Sequence, residues 1–196
     1  KKMWQHFPLV KEVKKHFPNI PIVLDTDVNA PAFSEFLQLK ESHPNINSVA
    51  YVTIGTGIGL GLYADGKTLH GQMHPEFGHL LVRPQEGDTF AGSCPFHGPC
   101  LEGMAASGAV ARRLGIDQSE IANLERDHKI WDNWCYYVGS LCFNAALAYS
   151  TDVVVVGGGI ATGKGREYLY EKISEEVKKL NCGYINVPKI IPPFYG

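Results

Sequence analysis

The stretch Ser48–Gly66 reads SVAYVTIGTGIGLGLYADG, and its two halves follow different rules. From Ser48 to Ile54 apolar and β-branched residues dominate, the composition of a strand. From Gly55 onward glycine takes every second position, at Gly55, Gly57, Gly59 and Gly61, alternating with Thr56, Ile58, Leu60 and Leu62. A period of two places the glycines on one face of a returning strand, so a β-hairpin is expected, with Asp65-Gly66 supplying the next tight turn. A face without Cβ atoms lets a ligand approach backbone amides, and Thr56 adds a hydroxyl, as a phosphate cradle requires. The same glycines would also serve close packing of the chain on itself. No Gly-Lys-Ser/Thr follows, so this is not a Walker loop, and it is not a Rossmann fingerprint.

The flanking sequence alternates strands with helices, which implies an α/β fold. Upstream, residues 1–16 suit a short amphipathic helix that Pro18 and Pro21 end. A buried strand is expected at Ile22–Leu24, running into DTDVNAP, where Asp25, Asp27 and Asn29 alternate and emerge together at a strand end. A helix is expected over Phe33–Glu41. Downstream, two helices are expected over 102–114 and 117–126, the second capped by Asp117, and a longer amphipathic one over 128–149. The β-branched run 152–156 reads as a central strand. It ends at Gly157, Gly158 and Gly159, ahead of a helix over 164–180. Those glycines suit either a nucleotide or a tight turn.

The segment His74–Glu102, HPEFGHLLVRPQEGDTFAGSCPFHGPCLE, concentrates metal ligands and carboxylates. Cys94, His97 and Cys100 recur at three-residue steps, with Pro95, Gly98 and Pro99 excluding a regular helix between them. His79, upstream, either completes four tetrahedral zinc ligands or is an ordinary packed histidine. Glu76, His74 and Glu102 stand beside this staple, and a fixed metal would orient Glu102. The arrangement points to a structural zinc that shapes a substrate loop.

A chain of 196 residues with 44% hydrophobic and 19% charged residues can bury a sizeable core, as one large domain or two small ones. A net charge of −2 without a basic stripe gives no reason to expect nucleic acid or an anionic membrane as partner. Five cysteines, an odd number, fit a reducing, cytoplasmic location. No apolar run has transmembrane length and no secretory signal opens the chain.

A carboxylate at a strand end, a glycine hairpin, a glycine turn and a zinc loop offering carboxylates together suit phosphoryl transfer to a polyol. That chemistry needs phosphate-binding amides, usually Mg²⁺, and one carboxylate to take the acceptor hydroxyl's proton. Asp27 is the candidate base; Asp25 competes with it, or caps or supports it. Glu76, His79 and Glu102 suit vicinal sugar hydroxyls.

DTDVNAP, TIGTGIGLGLYADG, HPEFGH, CPFHGPCLEG and VVVGGGI stand in the order seen in the ROK family of sugar kinases and repressors, which the chain resembles over nearly its whole length. The family's usual zinc motif has three cysteines after Glu-x-Gly-His; Cys94, His97 and Cys100, with Asp-Thr-Asp-Val-Asn, look like the family's bacterial fructokinases. Many of its glucokinases have Asn where Thr26 stands. The resemblance implies an actin-like, ribonuclease H-like (hexokinase-type) ATPase fold, with residues 1–46 ending a smaller N-terminal domain and 47–196 forming a larger one. It implies Asp27 as catalytic base and Asn29, Glu76, His79 and Glu102 at the sugar. His79 would also join Cys94, His97 and Cys100 on structural Zn²⁺. Gly55, Thr56, Gly57, Gly158 and Gly159 would hold ATP, which carries Mg²⁺, and a homodimer is expected. The expected reaction is ATP-dependent phosphorylation of a hexose, with fructose to fructose 6-phosphate first. Glucose, mannose or N-acetylmannosamine kinases and the sugar-binding domain of a repressor are the alternatives. The family's Asp-x-Gly-Gly-Thr-Lys loop and its returning C-terminal helix are not in this sequence, so these 196 residues alone are expected not to turn over ATP.

Overall fold

The computed structural model describes residues 4–195. The elements are α1 (Leu9–His16), α2 (Asn29–Ser42), β1 (Ser48–Ile54), β2 (Ile58–Ala64), β3 (Lys67–Thr68), α3 (Leu101–Ala105), α4 (Ser107–Leu114), α5 (Ile130–Tyr149), β4 (Val153–Gly157), α6 (Tyr168–Asn181) and β5 (Lys189–Ile191). Residues 1–3 of the expected first helix lie outside the described residues.

One five-stranded sheet, ordered β3-β2-β1-β4-β5, forms the centre. The hairpin strands β1 and β2 are antiparallel, Ser48 opposite Ala64 and Ile54 opposite Ile58. β1, β4 and β5 run parallel, with Val49 beside Val153 and Val154 beside Ile190. Parallel strands are covered on both faces, and side chains of β1 and β4 divide accordingly. Val49, Val153 and Val155 meet Phe36 and Leu39 of α2 on one face. Ala50, Val52, Ile54, Val154 and Val156 join the larger core on the other, with Trp131, Trp134 and Leu141 of α5.

Several expected boundaries move. Ile22–Leu24 is not a strand: Val23 and Leu24 are 88% and 66% exposed, and no strand of the described sheet lies beside them to form a ladder. The helix expected over 102–114 breaks at Ala106, which is extended (φ −63°, ψ 161°). Glu102 and Ser107 hold the break by bonding to different points of the hairpin, through Ile58 N–H and Gly55 C=O. Over 117–126 only a 3₁₀ segment, Gln118–Asn123, forms, behind the Asp117 cap and its reciprocal Glu120 contact. The last helix begins only at Tyr168, after Gly165 turns the chain with φ 79°.

The glycine face of β2 is covered by the chain itself. A Cβ on Gly61 would lie 2.2 Å from the Val28 carbonyl, and one on Gly59 would lie 3.0 Å from Val28 Cγ1. The start of α2 therefore rests directly on the hairpin. Gly61→Ala is expected to lower stability by about 1–3 kcal/mol, the usual cost of forced overpacking, read as a shifted denaturant midpoint.

Candidate functional site

Three separate pieces of chain meet on the first half of β2. The first is Thr26–Asn29, seated over Gly59 and Gly61. The second is HPEFGH, bent by a 3₁₀ turn at Phe77–His79; a Cβ on Gly78 would sit 2.1 Å from the Ile58 carbonyl, so only glycine lets this turn approach. The third is the start of α3, where Glu102 Oε2 accepts the Ile58 N–H at 3.0 Å and fills the space over Gly57.

His79 links the second and third pieces. Its Nε2 lies 3.9 Å from Glu102 Oε1. Its Nδ1 faces the other way, 3.3 Å from His97 Nδ1, 3.7 Å from Cys94 Sγ and 3.8 Å from Cys100 Sγ. Cys94 Sγ and His97 Nδ1 are 3.9 Å apart, and the four ligand atoms all lie within 4.8 Å of one another. A tetrahedral zinc site with bonds of roughly 2.0–2.3 Å has edges of about 3.3–3.8 Å, and four of the six donor pairs stand close to that spacing. The knuckle is set by local backbone: Gly98 N–H donates to the Cys94 carbonyl, Gly98 adopts φ 56°, and Leu81 bridges Cys100.

In the first piece most groups are engaged. Thr26 Oγ1 accepts the N–H of Asn29, the first residue of α2. Asn29, expected among sugar contacts, is 0% exposed: its Oδ1 accepts the Leu62 N–H and its Nδ2 donates to the Leu69 carbonyl, so its polar groups are committed to the hairpin. Asp25 Oδ1 accepts the Thr26 N–H and its Oδ2 accepts from Thr68 Oγ1. Asp27 is the exposed carboxylate between these anchors, and no hydrogen bond engages it among the described residues. Glu76 is half-exposed, 3.3 Å from His74 Nε2.

The glycine turns lie side by side, because β1 and β4 are parallel neighbours that end together with Thr53 beside Gly157. Ligands of open α/β sheets collect at this end of parallel strands. Gly55 N–H donates to the Gly57 carbonyl, Thr56 is exposed, and nothing lies within 4 Å of a Cβ position on Gly55 or Gly159. Gly158 has a structural duty: with φ 91°, its Cβ position would fall 2.2 Å from the Ile54 carbonyl.

Beyond the turn, the loop is clamped at Asp88. Arg113 Nη1, the Tyr137 hydroxyl and Asn133 Nδ2 all donate to this carboxylate, at 2.5, 2.5 and 3.0 Å. Burial alone would raise the Asp88 carboxyl, but bonds from Arg113, Tyr137, Asn133 and the Phe90 N–H outweigh it and hold it well below the usual range. Tyr137, through burial and the same carboxylate, is pushed up to about 12. A lowered folded pKa means the Asp88 contribution is present above the ordinary carboxylate range and is lost as pH falls through the folded value. Asp88→Ala should cost about 3–5 kcal/mol by leaving Arg113 without its partner, measured by chemical denaturation at neutral pH, and the deficit should shrink in acid.

Thr68 and His70 were not expected at the site. Their spacing of two after the Asp65-Gly66 turn places them on one side of the outgoing arm, but their partner, Asp25, lies some forty residues upstream.

The sheet and its two adjacent glycine turns define an actin-like ATPase architecture. The crystal structure of a ROK hexokinase from Thermus thermophilus shares it, with a TM-score of 0.71 at 29% identity over 96% of this chain and 66% of that one. The sequence model of the ROK family matches residues 1–195, and this chain belongs to that family. Among its curated relatives, fructokinase from Lactococcus lactis subsp. cremoris is 37% identical over 94% of this chain, and fructokinase from Streptococcus mutans is 34% identical over 95%. The chain spans 60% and 61% of the length of those two proteins.

Proposed function

We propose that the full-length protein carrying this chain transfers a phosphoryl group from ATP to a hexose, most specifically to fructose, giving fructose 6-phosphate. The observation that carries the reading is that the segment flanking the exposed Asp27 rests on Gly59 and Gly61 while Glu102, 3.9 Å from His79, rests on Gly57 of the same hairpin. Asp27 accepts the proton of the attacking hydroxyl, while Glu76, His79 and Glu102 fix the sugar through its other hydroxyls. Gly55, Thr56 and Gly57 receive the ATP phosphates, with Gly158 and Gly159 beside the nucleoside. Mg²⁺ bound with ATP neutralises charge on those phosphates. The ion held by His79, Cys94, His97 and Cys100 is zinc in a structural role, since four protein ligands leave it no open position. α2 is the element through which a smaller domain ending at 46 meets the larger one from 47. The relatives named fructokinase support fructose over other hexoses. Coupled ADP-release assays on the full-length protein across fructose, glucose, mannose and N-acetylmannosamine test this. The reading predicts stimulation greatest with fructose, and fails if no hexose stimulates release.

A further inference from the structure

We propose that Asp25, Thr68 and His70 form a brace that positions Asp27 for catalysis, with Thr68 and His70 acting as positioning residues. A general base has to be held at hydrogen-bond distance from its proton while its own carboxylate stays free. The segment 25–29 meets both demands by being anchored on either side of Asp27. On one side Asp25 Oδ2 accepts from Thr68 Oγ1 at 2.9 Å and lies 3.2 Å from His70 Nε2. On the other, Asn29 Oδ1 accepts the Leu62 N–H and its Nδ2 donates to the Leu69 carbonyl. Every one of these partners comes from residues 62–70, the end of β2 and the arm that follows the Asp65-Gly66 turn, so one tight hairpin holds both anchors.

Asp25 is free for this task because it does not cap the helix. Thr26 fastens the entry into α2 instead, taking the Asn29 N–H on its hydroxyl and the Ala30 N–H on its carbonyl. The Asp25 carboxylate can only accept hydrogen bonds, so the bond to His70 requires the tautomer with the proton on Nε2, or the doubly protonated ring. The brace stands apart from the core. β3 is a two-residue edge strand, and the His70 side chain is 51% exposed against 15% for Asp25. Losing it therefore loosens the segment without opening the fold, a combination that separates positioning from stability.

The kinetic consequence rests on the kinase reading above; the structural consequence does not. The test compares Thr68→Val, His70→Ala and the hydroxyl-retaining Thr68→Ser in the full-length protein. Amide hydrogen exchange should quicken over residues 25–30 in Thr68→Val and His70→Ala, with protection elsewhere and the unfolding midpoint unchanged. In the hexose assay, kcat should fall about tenfold to a hundredfold in those two variants, the scale of a misplaced catalytic group, with KM for ATP unchanged and Thr68→Ser close to wild type. Unchanged exchange over 25–30, or a loss of protection across the chain with a lowered midpoint, would overturn the brace. Loss of exchange protection without a change in kcat would overturn its catalytic role. If the wild-type protein releases no ADP with any hexose, the kinase reading falls, and the exchange measurement still decides whether the brace exists.

Discussion

Asp27→Ala in the full-length protein should lower hexose-dependent ADP release by about 10²–10⁴-fold, the range a positioned general base contributes. The loss should fall on kcat, with KM for the sugar and the unfolding midpoint both close to wild type. The structure supplies the reason for this separation. Asp27 is exposed and supports none of its neighbours: Thr26 takes the Asn29 N–H, Asp25 binds Thr68, and Asn29 is buried against Leu62 and Leu69. Removing its carboxylate therefore deletes a proton acceptor and leaves the scaffold as it was. A matching fall in stability would place Asp27 among the structural groups instead.

The second large effect concerns the metal. Stripping the ion with a chelator, or replacing Cys100 by Ala, should unfasten both ends of the substrate loop. Cys100 Sγ also receives the Gly103 N–H at the start of α3, and Glu102 lies between them in sequence. His79 loses its fixed ring orientation at the same time, so the sugar contacts proposed for His79 and Glu102 should loosen together. Structural zinc is worth about 10–16 kcal/mol in isolated fingers. A loop on a preformed sheet loses less, and a loss of a few kcal/mol corresponds to a fall of roughly 10 °C in Tm for a chain of this size. Elemental analysis should find one zinc per chain, and thermal melts with and without chelator should differ by that amount, with hexose phosphorylation lost in parallel. A metal-free preparation with unchanged Tm and activity would contradict the staple.

Local pattern made much of this legible in the sequence. Alternating glycines define β2 by period, the four valines of β4 read as a doubly covered strand, and Trp131, Trp134, Val138 and Leu141 mark the buried face of α5. The three-residue steps of Cys94, His97 and Cys100 already implied convergence, and the structure brings His79 to them. What the glycines face was not legible, because the atoms over Gly57 and Gly61 belong to Glu102 and Val28, distant in sequence. The break at Ala106 was hidden for a similar reason: Ala105 and Ala106 are themselves strong helix formers, and the break is accompanied by bonds to the hairpin. Asn29 looked like a ligand group because it alternates with Asp25 and Asp27, yet the turn into α2 buries it. Ile22–Leu24 has strand composition, but composition alone cannot supply a neighbouring strand.

The proposed site has Asp27, Glu76, His79 and Glu102 gathered by β2 around one sugar. A crystal structure of the full-length protein with bound fructose tests it most directly. The 6-hydroxyl should lie within hydrogen-bond distance of Asp27, the remaining hydroxyls should bond to Glu76, His79 Nε2 and Glu102, and a metal should sit on the opposite ring nitrogen of His79. Fructose bound away from β2, or held with Asp27 out of reach of every hydroxyl, would contradict it.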